Sequence, residues 1–211
     1  LQTNRRRLDW FESHYAREWP SIAHLVVYNS GSVLNPREMP PELLDEILRF
    51  ARSQPSIRVV SLDSRDSFVT ADRVLRAAGA LRADQVLRVI VGVESADDRI
   101  RNEILKKQMP RDSIVRAFLA AARAGETAGA LRAGIDVNIL VGGPGTTPRD
   151  APGDALQTAR FAWDHSPAPV DFNLHPYYPG RRGRLRFPAQ PRCPVSTVAR
   201  AARAVRDECR S

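Results

Sequence analysis

Five short clusters gather nearly all of the residues here that could bind or react with a ligand: NSGS (29–32), DSR (63–65), GVES (92–95), GGPGTT (142–147) and NLHPYYPG (173–180). Gly31, between Ser30 and Ser32, lets main-chain N–H and C=O groups face the charged amino-acid end of a ligand; an ordinary turn and helix cap is the competing use. Asp63, Ser64 and Arg65 set a carboxylate, a hydroxyl and a guanidinium side by side, suited to a zwitterion or to a surface ion pair. The Glu94 carboxylate and Ser95 hydroxyl suit the paired hydroxyls of a ribose, and Ser95 equally suits the N-cap of a helix beginning near Asp97. In NILVGGPGTT (138–147) an apolar run stops abruptly in glycines and a proline. A Walker loop needs a lysine and a hydroxyl after its last glycine, and Thr146, Thr147 and Pro148 stand there instead. The dinucleotide fingerprint needs a third glycine where Pro148 lies. Both phosphate-binding readings fail.

These clusters need elements to aim them. Apolar β-branched runs predict strands at HLVVY (24–28), IRVVSL (57–62), LRVIVGV (87–93), IDVNILVG (135–142) and VDFNLH (170–175). Helical spacing predicts helices at LDWFESHYARE, ELLDEILRFAR, TADRVLRAAG with a Thr cap and a terminal Gly79, DDRIRNEIL, RDSIVRAFLAAARAG, DALQTARFAWDH and VSTVARAARAVRDECR. Strands separated by helices must pair in parallel through crossovers, because a tight hairpin cannot join parallel neighbours. The class is therefore α/β, and every cluster falls just past the C-terminal end of a strand, where such folds place their ligands. The expected division is a helical lead-in over 1–23, a (β/α) core over 24–180, and a basic loop with a C-terminal helix over 181–211.

The chain of 211 residues, 43% hydrophobic, is long enough for one substantial core. No stretch approaches a membrane span and the start lacks the apolar segment of a secretory signal, so a cytoplasmic location with no membrane partner is expected. Cys193 and Cys209 are too few for a disulfide framework. The net charge of +8 favours polyanions, yet the arginines are scattered among acidic residues, as a coding bias toward Ala and Arg would also leave them. His14, His24, His165 and His175 share no ligand spacing, so no metal site is expected from them.

Taken in order, four segments resemble the radical S-adenosylmethionine (SAM) superfamily, in its Elongator-catalytic-subunit-like and archaeosine-synthase-like branch. They are NSGSVLNPREMPPELLDEIL, DSRDSFVT, VGVESADDRIRNEILKKQMPRDSIVRAFLAAARAG and VNILVGGPGTTPRDA, within residues 24 to 180. The resemblance implies a partial (β/α) TIM-like barrel of mostly parallel strands, missing its first strand and cluster loop. It implies that Ser30, Gly31 and Ser32 flank the methionine amino group of SAM and that Ser64 and Arg65 lie near its carboxylate or sulfonium. Glu94 and Ser95 would lie near its ribose, Ile139 to Gly142 with Gly143 near the adenine, and Asn173 and His175 on the far side of the pocket.

The same resemblance implies a 4Fe–4S cluster held by three cysteines at CxxxCxxC spacing. This sequence has no such motif, and the resemblance places it upstream of Leu1. A cluster is therefore expected only if such a segment exists, and the 211 residues alone should be inactive. Three functions stay open: part of a radical SAM enzyme acting on a tRNA base or a small metabolite, a cluster-free degenerate domain serving as a nucleoside-binding or protein/RNA-interaction module, or an unrelated (β/α) phosphate enzyme. Arg181, Arg182, Arg184 and Arg186 in one short segment would suit an RNA backbone.

Overall fold

In a computed structural model the described residues are 2–29, 31–127, 133–180, 186–187 and 189–209. Ser30, Arg181, Arg182 and Arg184 lie outside them. The elements in order are α1 (Gln2–His14), β1 (His24–Val27), α2 (Pro41–Ser53), β2 (Val59–Asp63), α3 (Ala71–Gly79), β3 (Val86–Glu94), a π-helical turn (Arg99–Ile104), α4 (Arg111–Thr127), β4 (Ala133–Val141), α5 (Ala151–His165), β5 (Val170–Pro176) and α6 (Val195–Glu208). The five strands are hydrogen-bonded in the order β1-β2-β3-β4-β5, all parallel, which is α/β and consistent with a partial TIM-like barrel. Strand order following chain order is what successive right-handed crossovers produce.

Contacts divide the chain into two compact units. One comprises residues 1–91, 116–136 and 167–169; the other comprises 92–115, 137–166 and 170–211.

In the first unit the register pairs Val26 with Ser61 and Ser61 with Arg88. Because side chains alternate along a strand, one face carries His24, Val26, Ser61 and Arg88. The other carries Val27, Val60, Leu62, Leu87, Val89 and Val91, all buried. The helices bear matching apolar stripes, with Leu43, Leu48, Phe50 and Ala51 buried on α2 and Val74, Ala77 and Ala78 on α3. Thr70 caps α3, its hydroxyl accepting from the Arg73 N–H at 3.4 Å, and the helix ends at Gly79, as its sequence predicts. The lead-in helix starts earlier than its apolar pattern suggests and stops at His14. The chain then turns back so that Trp19 is buried, its indole N–H donating to the Glu12 carbonyl at 3.0 Å and its ring meeting Phe50 edge-on at 4.8 Å.

In the second unit Val137, Ile139 and Val141 of β4 are buried, as are Ala155, Ala159, Phe161 and Ala162 of α5. The helix predicted at DDRIRNEIL is only a π turn. Leu105 N–H reaches back five residues to Ile100 O at 2.9 Å, and the chain then leaves the helical path through positive φ at Lys106 (59°) and Gln108 (53°). What stops it is Arg101. Its guanidinium is buried and donates to the Met109 carbonyl at 2.8 Å and the Ser95 carbonyl at 2.8 Å, holding the segment in a loop around itself.

Candidate functional site

The first unit carries the tips of β1 and β2. Past β1, Gly31 N–H donates to Asn29 Oδ1 at 2.9 Å and the Ser32 N–H donates to the Glu38 carboxylate. A Cβ at Gly31 would overlap Glu38 Oε2, so a side chain here would have to push that carboxyl aside. Ser32 is fully buried and its hydroxyl accepts from the Arg65 N–H at 3.0 Å, while Val33 N–H donates to Asp63 O at 2.8 Å; the two tips are thus tied together. Ser64 is buried, its N–H donating to Ile90 O at 3.0 Å and its hydroxyl to the Arg65 carbonyl at 3.2 Å, whereas Arg65 is exposed. Next to them lies a group the sequence did not single out: Asp66 is buried, and its Oδ1 has no hydrogen-bond partner among the described residues.

Below these tips the same unit holds a polar chain that runs from the exposed His24 to the buried Ser61, Asp136 and Arg88. Ser61 donates its hydroxyl proton to Asp136 Oδ2 at 3.1 Å, so the 2.7 Å contact with His24 Nε2 requires the imidazole N–H to be the donor. Asp136 Oδ1 accepts from Arg88 Nε at 2.8 Å, and Arg88 donates further to the carbonyls of Ile135 (2.7 Å) and Pro169 (3.4 Å). Gly134 is bare because the Arg88 guanidinium lies over it. Burial first, then the charges of Asp63 and Asp136, push the Tyr28 phenol above its ordinary range.

The second unit carries the tips of β3, β4 and β5. Glu94 ends β3 with φ 68°, unusual for a residue with a side chain, and its Oε1 accepts from Lys107 Nζ at 2.8 Å. The pair lies over Gly92, where a Cβ would stand 2.8 Å from Glu94 Oε1 and 2.9 Å from Lys107 Nζ. Lys107 went unnoticed in the sequence. Its only signal is LKKQ, thirteen residues on and flanked by no turn residue. Ser95 is buried, its hydroxyl donating to Asp154 Oδ1 at 2.6 Å and accepting from the Asp97 N–H at 3.1 Å, and it does not cap the turn that follows, where Asp97 Oδ1 accepts from the Ile100 N–H at 3.1 Å. Burial raises the Asp154 carboxyl above its usual range, against the lowering by the Ser95 hydrogen bond.

Past β4, Gly142 has φ +70°, and a Cβ on it would come within 2.7 Å of Cys193 Sγ; its carbonyl accepts from Gln190 Nε2 at 3.0 Å. The close approach signalled by NILVGGPGTT is thus made in part by the chain's own segment at 190–193. Gly143 lies against Leu140 and Tyr177, and Gly145 (φ +95°) against Ile100 and Ile104. Burial pushes the Cys193 thiol up, away from a reactive thiolate. On β5, Asn173 donates to Asn138 Oδ1 at 3.1 Å and is half-buried, while His175 is exposed.

No family model matches the chain. In sequence it is 28% identical over 112 residues to archaeosine synthase subunit beta of Methanosarcina acetivorans, covering 53% of this chain and 32% of that protein. An uncharacterized protein of Methanocaldococcus jannaschii is 26% identical over 133 residues, covering 63% and 34%. The first of these is of the archaeosine-synthase kind that the strand-end segments resemble. The chain spans about a third of the length of the curated relatives it matches. Among solved structures, TsrM from Kitasatospora setae, a radical S-adenosylmethionine methyltransferase with cobalamin and a 4Fe–4S cluster bound, matches with TM-score 0.48 and 18% identity, covering 82% of this chain and 31% of that one. Among the described residues no helix is long and apolar enough to cross a membrane.

Proposed function

We propose that the chain is the SAM-binding part of a radical SAM enzyme that modifies a tRNA base or a small metabolite. The observation that carries this reading is Glu94: a carboxylate held at a strand end, in a costly backbone conformation, within the radical SAM-like segment GVES. Glu94 would accept hydrogen bonds from a ribose, with Lys107 fixing one Glu94 oxygen and leaving the other for the ligand, and the buried Ser95 would set the turn beside it. Gly142 and Gly143 would serve the adenine, and Asn173 and His175 the remaining side.

The residues present do not fit a 4Fe–4S cluster. The sequence has two cysteines, and among the described residues no three His, Cys, Asp or Glu side chains are grouped to hold a metal. A cluster would need thiolates from outside these 211 residues, so this chain by itself should bind SAM without cleaving it. Equilibrium dialysis with radiolabelled SAM tests the binding. Replacing Glu94 with Ala should weaken it about 10- to 100-fold, the worth of charge-assisted hydrogen bonds of roughly 1.5–3 kcal/mol. Absence of binding at millimolar SAM would sink the reading.

A second reading is a cluster-free module that binds a nucleoside or docks on RNA or protein. In-frame translation of the DNA preceding the codon for Leu1 separates the two, a CxxxCxxC motif supporting the enzyme and an in-frame stop the module. A tRNA partner would show affinity falling steeply with added salt.

A further inference from the structure

We infer that the crevice between α2 and α3 binds a small apolar carboxylate, an acid of about ten non-hydrogen atoms whose tail lies among leucines and whose head meets Arg73. Every residue lining it falls between 33 and 77, inside the first unit, and the site does not rest on the SAM reading. Its walls are apolar: Val33, Leu34, Met39, Leu48 and Ala77 are buried and Leu44 is half-buried. They leave a pocket of about 260 Å³, whereas close-packed interiors leave few voids larger than a water molecule. A dry apolar cavity of about 150 Å³ takes up benzene, so this one has room for roughly ten non-hydrogen atoms.

The walls are held in place without a ligand. The loop at 33–41 winds on Asn35, whose Oδ1 accepts from the Arg37 N–H at 3.1 Å and whose carbonyl accepts from the Glu38 and Met39 N–H groups at 3.0 and 2.8 Å. Pro36, Pro40 and Pro41 restrict the same loop by fixing φ. A pocket formed in advance loses little free energy to ordering when it is filled. Charge then decides the head of the ligand. Arg73 and Arg76 stand one turn apart on α3, and Asp45 on α2 pairs with Arg76 at 2.6 Å. Arg73 is half-buried, donates from Nη1 to the Phe68 carbonyl at 3.1 Å and lies 5.9 Å above the Phe68 ring; among the described residues no carboxylate pairs with it. Two cations and one anion leave a single positive charge beside the pocket. A carboxylate matches that charge and can take the remaining guanidinium N–H groups. A phosphate dianion would bring a second charge against Asp45, and an amine would be repelled by Arg73.

Octanoate is the probe and octanol the uncharged control of the same chain length, each titrated calorimetrically into the 211-residue chain. Octanoate should bind with a Kd of roughly 0.05–1 mM, the range that about ten atoms reach, and octanol about 10-fold more weakly. Arg73→Met should bring octanoate down to the affinity of octanol and leave octanol unchanged. Asp45→Asn, which releases Arg76, should tighten octanoate about 2- to 10-fold. Ala77→Leu, filling the pocket from α3, should abolish binding of both, with a urea melt checking that the variant folds. Methyl chemical shifts of the wild-type chain locate the ligand independently: those of Leu34, Leu44, Leu48 and Ala77 should move as octanoate is added. No saturable binding of octanoate overturns the proposal, and so do methyl shifts confined to residues outside the crevice. Equal affinities for octanoate and octanol, or an octanoate affinity that ignores both Arg73→Met and Asp45→Asn, overturn it as well and would make the crevice a seat for an uncharged side chain of another segment.

Discussion

Gly92→Ala separates a ligand-binding Glu94 from a merely structural one. The added methyl would stand 2.8 Å from Glu94 Oε1 and 2.9 Å from Lys107 Nζ, and its next neighbour is the Glu94 carboxyl carbon at 3.8 Å. What must give way is therefore the ends of two flexible side chains and not backbone. Gly92 does not need a left-handed conformation, so alanine suits its backbone, and filling a strand glycine returns roughly 0.5–1 kcal/mol of chain entropy. Displacing a partly exposed ion pair costs about 0–1 kcal/mol, so the two effects nearly cancel and urea unfolding should move by less than about 1 kcal/mol. Binding should behave differently. With the carboxylate displaced from its seat, hydrogen bonds to ligand hydroxyls worth roughly 1.5–3 kcal/mol are lost or bent, and the Kd for SAM should rise about 10- to 100-fold. Isothermal titration calorimetry and a urea melt on the same preparation give both numbers. Unchanged affinity with Glu94 demonstrably moved would refute the assignment, and a large loss of stability would refute the claim that only side-chain ends are involved.

Asp136→Ala should cost about 3–5 kcal/mol in urea unfolding, because Arg88 would stay buried with its charge uncompensated; Arg88→Met with Asp136→Leu should recover much of that loss. Gly142→Ala should destabilise by roughly 1–3 kcal/mol, since φ +70° and the Cys193 sulfur 2.7 Å away both oppose a Cβ, and Cys193→Gly should restore part of it by removing the sulfur. For Asp154 the folded carboxyl titrates above its unfolded value, so the folded state binds the proton more tightly and stability falls as pH rises from the ordinary aspartate range through the raised value. Asp154→Asn, which still accepts from Ser95, should remove that part of the slope in thermal melts taken across the acid range.

The strands and their order were legible because burial on one or both faces writes itself as β-branched runs, and their observed bounds differ from the expected ones by only a residue or two. The positions of the tips followed from those strands. What each tip does was less legible, because hydrogen bonds between distant segments leave no local pattern. Gly31 read as room for a ligand, yet the Glu38 carboxylate takes that room, and Gly142 faces Cys193, fifty-one residues on. Lys107, Arg101 and Asp154 were invisible for the same reason: each is an ordinary helix or loop residue until the chain folds it onto the end of β3. Helical spacing at 97–105 failed because a buried guanidinium, not propensity, decides where that helix stops.

Backbone conformation distinguishes the β3 tip from the others. Among the described residues three non-glycine residues have positive φ: Glu94, Lys106 and Gln108. One is the acid of the Glu94–Lys107 pair and the other two flank its base, so the unfavourable backbone is confined to this contact. Each such conformation costs on the order of 1–2 kcal/mol, and glycine at any of the three positions would remove that cost. At 94 glycine would also remove the carboxylate; at 106 and 108 it would free the loop that carries the ammonium. The ion pair contributes about 0–1 kcal/mol, so what holds 106 and 108 in these conformations is the loop wound on Arg101 and Asn102, which bond the Met109 carbonyl and N–H. At 94 the left-handed conformation fixes the carboxylate in one place, which a ligand with two neighbouring hydroxyls would require.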